Sequence, residues 1–187
     1  MRRLRRIGWA PSPSTARNLA MADGNKNPAF DRGAKAIGAL FVAAVLALAG
    51  TLIKPWEGKR NTTYLDIVGV PTACYGETRG VVRGKTYTDE ECEAFLNKSM
   101  REFYGHVTRC ITYPLTINES AALTSFAYNV GPRGVCGSKL QYHANRGEKV
   151  QMCGQLMHWI YAGGKPVKGL VNRRKAEWRM CMGLGYQ

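Results

Sequence analysis

Residues 55–76, PWEGKRNTTYLDIVGVPTACYG, carry two carboxylates and a threonine around a predicted hairpin. Thr63–Tyr75 is rich in β-branched and aromatic residues and is interrupted by a glycine, a pattern typical of a small antiparallel hairpin or meander. Glu57 precedes it at the predicted end of a helix, while Asp66 falls in the first arm of the hairpin and Thr72 in the second. A hairpin that folds back can therefore bring Asp66 and Thr72 over Glu57.

These residue types suit the hydrolysis of a glycosidic bond, which needs two carboxylates across a cleft. Glu57 would stay protonated to donate to the leaving oxygen, and Asp66 would stay ionised to act on water or on the developing positive charge. Thr72 carries a hydroxyl suited to orienting a water, and Trp56 offers apolar surroundings that favour a protonated carboxyl. A solvated helix end followed by an aspartate in a turn gives the same spacing, so the spacing alone leaves both interpretations open.

An uncharged run before this stretch predicts a membrane segment. Residues 36–53, AIGALFVAAVLALAGTLI, contain no charge and follow a basic flank that includes Arg32 and Lys35. As a helix the run is about 27 Å long, enough to cross a thin bilayer, and the basic flank places the N-terminus in the cytoplasm. Eight of its eighteen residues are alanine or glycine, so its insertion is only marginally favourable.

Four interpretations of this run remain open: a signal peptide cleaved after Ala49, a permanent anchor, a removable anchor, or a buried core helix. The basic flank argues against the core helix, and the small residues at 47–49 slightly favour the signal peptide. We divide the chain into a flexible basic cytoplasmic tail (1–35), a membrane segment (36–53) and an exported domain (54–187).

The cysteines predict a disulfide framework rather than a metal site. All six follow residue 73 without a C-x-x-C motif, and the three histidines are scattered, so no metal or other cofactor is predicted. An even number behind an export signal indicates an oxidising compartment, although six buried thiols in the cytosol are the alternative. Short loops close at lower entropic cost, which favours sequential pairing: Cys74–Cys92, Cys110–Cys136 and Cys153–Cys181.

The net charge of +14 indicates an anionic partner. Anionic wall polymers and membrane surfaces both fit it. Because the sequence has no phosphate-binding loop, zinc-finger spacing or basic-aromatic interleaving, nucleic acid is not predicted as a partner.

Helices are predicted beyond the hairpin. Thr88–Glu91 and Thr116–Glu119 fit capping boxes that open two helices, the second of which should end at Gly131. Further helical stretches are predicted at residues 138–145, 147–162 and 171–181. One small sheet followed by four or five helices is an α+β pattern.

Several sequence blocks resemble the phage-type lysozymes of glycoside hydrolase family 24, in which Glu, Asp and Thr stand at the separation of Glu57, Asp66 and Thr72. The similarity covers nearly all of residues 54–187. The further blocks, in order, are TACYGET (72–78), TYTDEECEAFLNK (86–98), LTSFAYNVG (123–131), YAGG (161–164) and GLVNRRKAEWRMC (169–181). A weak apolar segment just before the catalytic Glu is similar to the signal-anchor-release endolysins of that family.

The resemblance implies a lysozyme-like fold and an enzyme that cuts peptidoglycan between N-acetylmuramic acid and N-acetylglucosamine. Glu57 would be the general acid, Asp66 the partner carboxylate and Thr72 the water-positioning hydroxyl. Substrate contacts would come from Asn129, Arg173 and Arg174, with one of the arginines near Glu57. The sequence departs from the family at Glu77, where many relatives have histidine.

For residues 36–53, the resemblance favours a removable anchor in the host inner membrane. A holin-type depolarising protein would trigger its release, and the enzyme would then act as a monomer in the periplasm. A lytic transglycosylase is the alternative within the enzymes. A non-enzymatic wall-binding or lysis protein is the alternative outside them.

Overall fold

The computed structural model describes the backbone of residues 28–66 and 68–185, with side chains from residue 35 onward. Its contacts divide the chain into residues 1–38 and residues 39–187. Most of the predicted cytoplasmic tail lies outside the described residues. In the first unit, the described part is the start of a helix.

Helix α1, Pro28–Glu57, contains the predicted membrane segment. Lys35–Glu57 is the one described helix that is long and apolar enough to cross a membrane. Within residues 39–187, its second half is nevertheless a core element, since a stripe of its side chains is buried: Val45, Leu46, Ala49, Leu52 and Ile53. Their spacing of three and four residues puts them on one helix face. The same residues therefore suit a bilayer and a protein core.

The predicted hairpin is present. Strands β1, Arg60–Leu65, and β2, Pro71–Cys74, are antiparallel, and Tyr64 lies opposite Thr72. Gly69 takes a φ of 81° in the connecting turn, a left-handed conformation that glycine adopts without steric cost.

Among the described residues, five α-helices follow the hairpin, within the four or five that the sequence predicts: α2, Asp89–Cys110; α3, Ile117–Val130; α4, Lys139–Ala144; α5, Lys149–Gln155; and α6, Lys168–Met182. Thr88 and Thr116 cap α2 and α3 through complete capping boxes. Gly131 ends α3 with a φ of 80°.

The helix predicted over residues 147–162 is wrong in its second half. Helix α5 ends at Gln155, a 3-10 turn covers Leu156–His158, and a second hairpin follows, formed by β3, Tyr161–Ala162, and β4, Lys165–Pro166. Gly163 and Gly164 both have positive φ, which suits a tight two-residue turn better than a simple break between helices.

The three disulfides have the predicted sequential pairing. Cys74–Cys92 joins β2 to α2, and Cys153–Cys181 joins α5 to α6. Cys110–Cys136 joins the end of α2 to the loop after α3. Each bond links elements that follow one another closely in the chain.

Two leucines of α1 test how much the packing of this helix contributes to the free energy of unfolding. Leu52 is fully buried and Leu40 is 71% exposed. We expect Leu52→Ala to lower the free energy of unfolding by about 3 kcal/mol, because it removes buried methyl groups and leaves a cavity. Leu40→Ala, the matched control, should change it by less than about 0.5 kcal/mol. Urea denaturation of the soluble full-length protein measures both, and equal effects would contradict the packing described here.

Candidate active site

Glu57 is the last residue of α1, and its carboxylate meets an arginine from the other end of the chain. Arg173 of α6 donates from Nη1 to Glu57 Oε1 at 2.6 Å. The Arg173 side chain is 5% exposed and that of Glu57 is 23% exposed. The ion pair is therefore shielded on the Arg173 side and open to solvent on the Glu57 side.

Arg173 also belongs to a buried network between α3 and α6. Its Nε lies 3.3 Å from Oε1 of Glu177, and Nη1 of Arg174 lies 2.9 Å from Glu177 Oε2. Ser125 donates to Glu177 Oε1 at 2.8 Å, and Arg174 donates to Asn129 Oδ1. Burial raises the pKa of Glu177, and the arginines and Ser125 oppose that shift.

The carboxylate of Asp66 closes the turn between β1 and β2. Its Oδ1 accepts hydrogen bonds from the backbone N–H groups of Val68 at 2.9 Å and Val70 at 2.8 Å. Thr72, on β2, is 4% exposed and donates to the carbonyl of Val70 at 3.0 Å. Asp66 and Thr72 thus share the turn end of the hairpin.

Glu57 opens into a cleft of about 420 Å³. The cleft is lined by residues of the β2–α2 connection, α2 and α3: Tyr75, Gly76, Glu77, Arg79, Ser99, Glu102, Phe103, His106, Tyr128 and Pro132. Asp66 and Thr72 do not belong to this lining. Asp66 and Thr72 thus meet at the hairpin turn, and Glu57 is the residue of the three that lines this charged cleft.

Residues 54–177 match the family model for phage lysozymes. The chain belongs to the phage lysozyme family. It is 40% identical over 146 residues to a SAR-endolysin of Bacteriophage PS119, covering 78% of this chain and 87% of the relative. A SAR-endolysin of Pseudomonas phage phiKMV is 41% identical over 145 residues, covering 75% and 88%.

The fold of this phage lysozyme is similar to that of the active form of the P1 phage endolysin Lyz. The TM-score is 0.67 at 26% identity, covering 79% of this chain and 94% of the P1 enzyme. The protein is accordingly a phage endolysin that acts on peptidoglycan.

Burial changes the roles expected for two of the three substrate-binding candidates. Arg174 is fully buried and Arg173 is 4% exposed, so their contacts are with protein groups. Asn129 is exposed, but its side-chain oxygen accepts from Arg174. Burial leaves the arginines little surface for direct sugar contact, which stays a prediction, and Arg173 lies beside Glu57.

Glu77 has its own set of hydrogen-bond donors. Its Oε2 accepts from Ser99 at 2.5 Å, and its Oε1 accepts from the backbone N–H groups of Thr78 at 3.1 Å and Arg79 at 3.0 Å. The sequence predicts a departure from the family at Glu77 but not its contact with Ser99, because no local pattern links two residues so far apart in the chain.

The sequence also did not predict a set of polar and charged side chains on one face of α2. Arg79 donates to Glu102 at 2.6 Å and holds the pKa of that carboxyl below its ordinary value. His106 lies one turn further along α2, with Nε2 3.8 Å from Glu102. Ser99, Glu102 and His106 recur at spacings of three and four residues, which is the signal that could have predicted a shared helix face.

Two tyrosines support the inner wall of the cleft. Tyr128 donates to the Tyr75 carbonyl at 3.0 Å, and Tyr75 donates to Glu93 at 2.9 Å. Burial raises the pKa of Tyr128 far above its ordinary value and that of Tyr75 to about 12. Both phenols therefore stay neutral at neutral pH.

The bond between Ser99 and Glu77 can be tested with two substitutions on α2. Ser99→Ala removes the donor to a mostly buried carboxylate oxygen, so we expect the free energy of unfolding to fall by about 1–3 kcal/mol. Thr108→Ala is the matched control, because Thr108 is exposed and its hydroxyl bonds to carbonyls of its own helix. It should change stability by less than about 0.5 kcal/mol. Equal Ser99 and Thr108 effects in urea denaturation would contradict the role given to Ser99.

Proposed function

We propose that this phage lysozyme hydrolyses the β-1,4 bond between N-acetylmuramic acid and N-acetylglucosamine, and that membrane tethering delays its action. The observation that carries the proposal is a partly exposed glutamate, Glu57, fixed by Arg173 at the edge of an open cleft. A carboxyl group on a rigid helix end beside a groove suits proton donation to a bound polymer.

In the proposed reaction, Glu57 donates its proton to the glycosidic oxygen as the bond to the anomeric carbon breaks. Asp66, ionised, stabilises the positive charge on the sugar ring or takes a proton from the incoming water. Thr72 orients that water. The water oxygen adds to the anomeric carbon, and the water proton finally restores the carboxyl group of Glu57.

This scheme requires Asp66 and Thr72 to meet the substrate from the hairpin while Glu57 meets it from the cleft. Two hydrogen bonds from the turn fix Asp66 Oδ1. Among the described residues, both bonds accepted by this side chain are at Oδ1, so Oδ2 is the oxygen we assign to the reaction. The hydroxyl proton of Thr72 goes to Val70, which leaves the oxygen of Thr72 to accept a hydrogen bond from water.

Residues 36–53 first cross the host inner membrane, with the N-terminus in the cytoplasm and the catalytic domain in the periplasm. Glu57 then lies four residues beyond the segment, or about 6 Å of helix from the hydrocarbon edge. It cannot reach Arg173 while Leu52 and Ile53 are in lipid rather than in the core. Depolarisation by a holin-type protein releases the segment, which packs as the second half of α1 in a periplasmic monomer.

Glu57→Gln tests the acid. Because the amide has no acidic proton to donate, we expect hydrolysis of purified peptidoglycan to fall by about 10²–10⁴-fold while the thermal unfolding curve keeps its cooperative shape. Asp66→Asn should reduce the rate less if the charge acts electrostatically and more if it acts as the base.

Products of the unmodified enzyme should carry reducing N-acetylmuramic acid ends. Anhydro ends, or full activity of Glu57→Gln, would overturn the proposed reaction.

Release can be tested with substitutions that the folded helix tolerates. Gly38 has open space around it and Ala43 is exposed, whereas a Cβ on Gly50 would lie 3.8 Å from Met100 Cε. Leucine at 38 and 43 should therefore favour the membrane by about 1 kcal/mol without disturbing the packed face. Fractionation and intact-mass measurement after depolarisation should find full-length soluble protein for the unmodified chain and less for the variant. A soluble form beginning at Gly50 would instead show cleavage.

A further inference from the structure

Glu177 is a buried carboxylate for which the proposed reaction has no role. It is fully buried on α6 and lies four residues after Arg173. Ser125 donates to one of its oxygens and Arg174 lies against the other. A buried carboxylate is costly unless charges and hydrogen bonds compensate it, and here two guanidinium groups and a hydroxyl do so.

Arg173 stands between Glu177 and Glu57. It donates to Glu57 from Nη1 at 2.6 Å and lies 3.3 Å from Glu177 through Nε. The planar guanidinium is thereby held at two points, which fixes its orientation. An arginine facing Glu57 alone would hold that carboxylate ionised, and an ionised carboxylate cannot act as a general acid.

We propose that Glu177 is a positioning residue for the acid step, which fixes the Arg173 guanidinium against Glu57 and takes up part of its positive charge. This inference rests on the proposed role of Glu57. The four charged groups, Glu57, Arg173, Glu177 and Arg174, form a cluster of zero formal charge when both carboxylates are ionised. Glu57, the most exposed of the four, can then exchange its proton with the cleft.

Other charged and titratable groups line the cleft with Glu57. They come from α3, from the β2–α2 connection and from α2, and they are Tyr128, Glu77, Arg79, Glu102 and His106. On α1 itself, Lys54 is paired with Glu93 at 2.8 Å. These groups are the same in every variant below, so differences between the variants isolate the effect of Glu177.

The test is the pH dependence of kcat/KM for the full chain on purified peptidoglycan, whose alkaline limb reports loss of the acid's proton. In Glu177→Gln the full positive charge of Arg173 acts on Glu57, so Glu57 should lose its proton at lower pH. The alkaline limb should therefore move down by about 0.5–1 pH unit. Glu177→Asp keeps the charge and should restore the limb. Glu119→Gln is the matched control, because Glu119 is 6% exposed but pairs with Lys149 outside the cleft lining.

A folded Glu177→Gln protein with an unmoved limb would overturn the inference. If that variant does not fold, Ser125→Ala decides: losing the hydroxyl donor destabilises the ionised form of Glu177, which leaves more of the Arg173 charge for Glu57, so the limb should move downward. An unmoved or raised limb in Ser125→Ala would overturn the inference as well. Glu57→Gln in the same assay separates the two proposals. Its activity tests the acid role of Glu57, and the alkaline limbs of the other variants test the role of Glu177.

Discussion

The ion pair between Glu57 and Arg173 joins parts of the chain that are 116 residues apart. Glu57 reaches it only when the second half of α1 lies in the core, because the carboxylate ends that helix. Arg173 reaches it only when α6 is docked on α3, where Glu177 accepts from the Arg173 guanidinium and Ser125 donates to Glu177. The Glu57–Arg173 pair is therefore a product of the completed fold, and a chain in which α1 lies elsewhere has both residues but not the pair.

Helix α1 has two environments available to it, and its composition suits both. Leucine, isoleucine and valine on the buried face gain roughly 1.5–3 kcal/mol each when removed from water, whether into protein or into lipid. In the protein core, Ala49 and Gly50 allow close approach to neighbouring elements, with Met100 3.8 Å from the position of a Cβ on Gly50. In a bilayer the same small residues contribute little to the free energy of insertion. The small residues that weaken the membrane-inserted state therefore strengthen packing in the folded state.

Local signals in the sequence predicted much of the fold. The capping boxes at Thr88 and Thr116 depend on contacts within one helical turn, and Gly69 marks its hairpin through backbone sterics alone. The disulfide order followed from short loops between successive elements. The helix prediction was wrong at residues 160–162, because the aromatic and β-branched residues there suit either a helix or a strand. The network around Glu177 was not found, since its contacts cross 52 residues to Ser125 and no spacing rule reaches that far.

The cleft is acidic on a protein whose net charge is +14. Its lining includes Glu57, Glu77 and Glu102 against one arginine, Arg79, and one histidine. A net charge of this sign favours association with anionic polymers over long distances, an effect that salt screens. Inside the cleft, Glu77 and Glu102 belong to the same lining as Glu57, and the guanidinium of Arg173, shared with Glu177, lies against Glu57 from α6. In the proposed reaction, Glu57 therefore acts between like charges in the cleft and a shared guanidinium from the core.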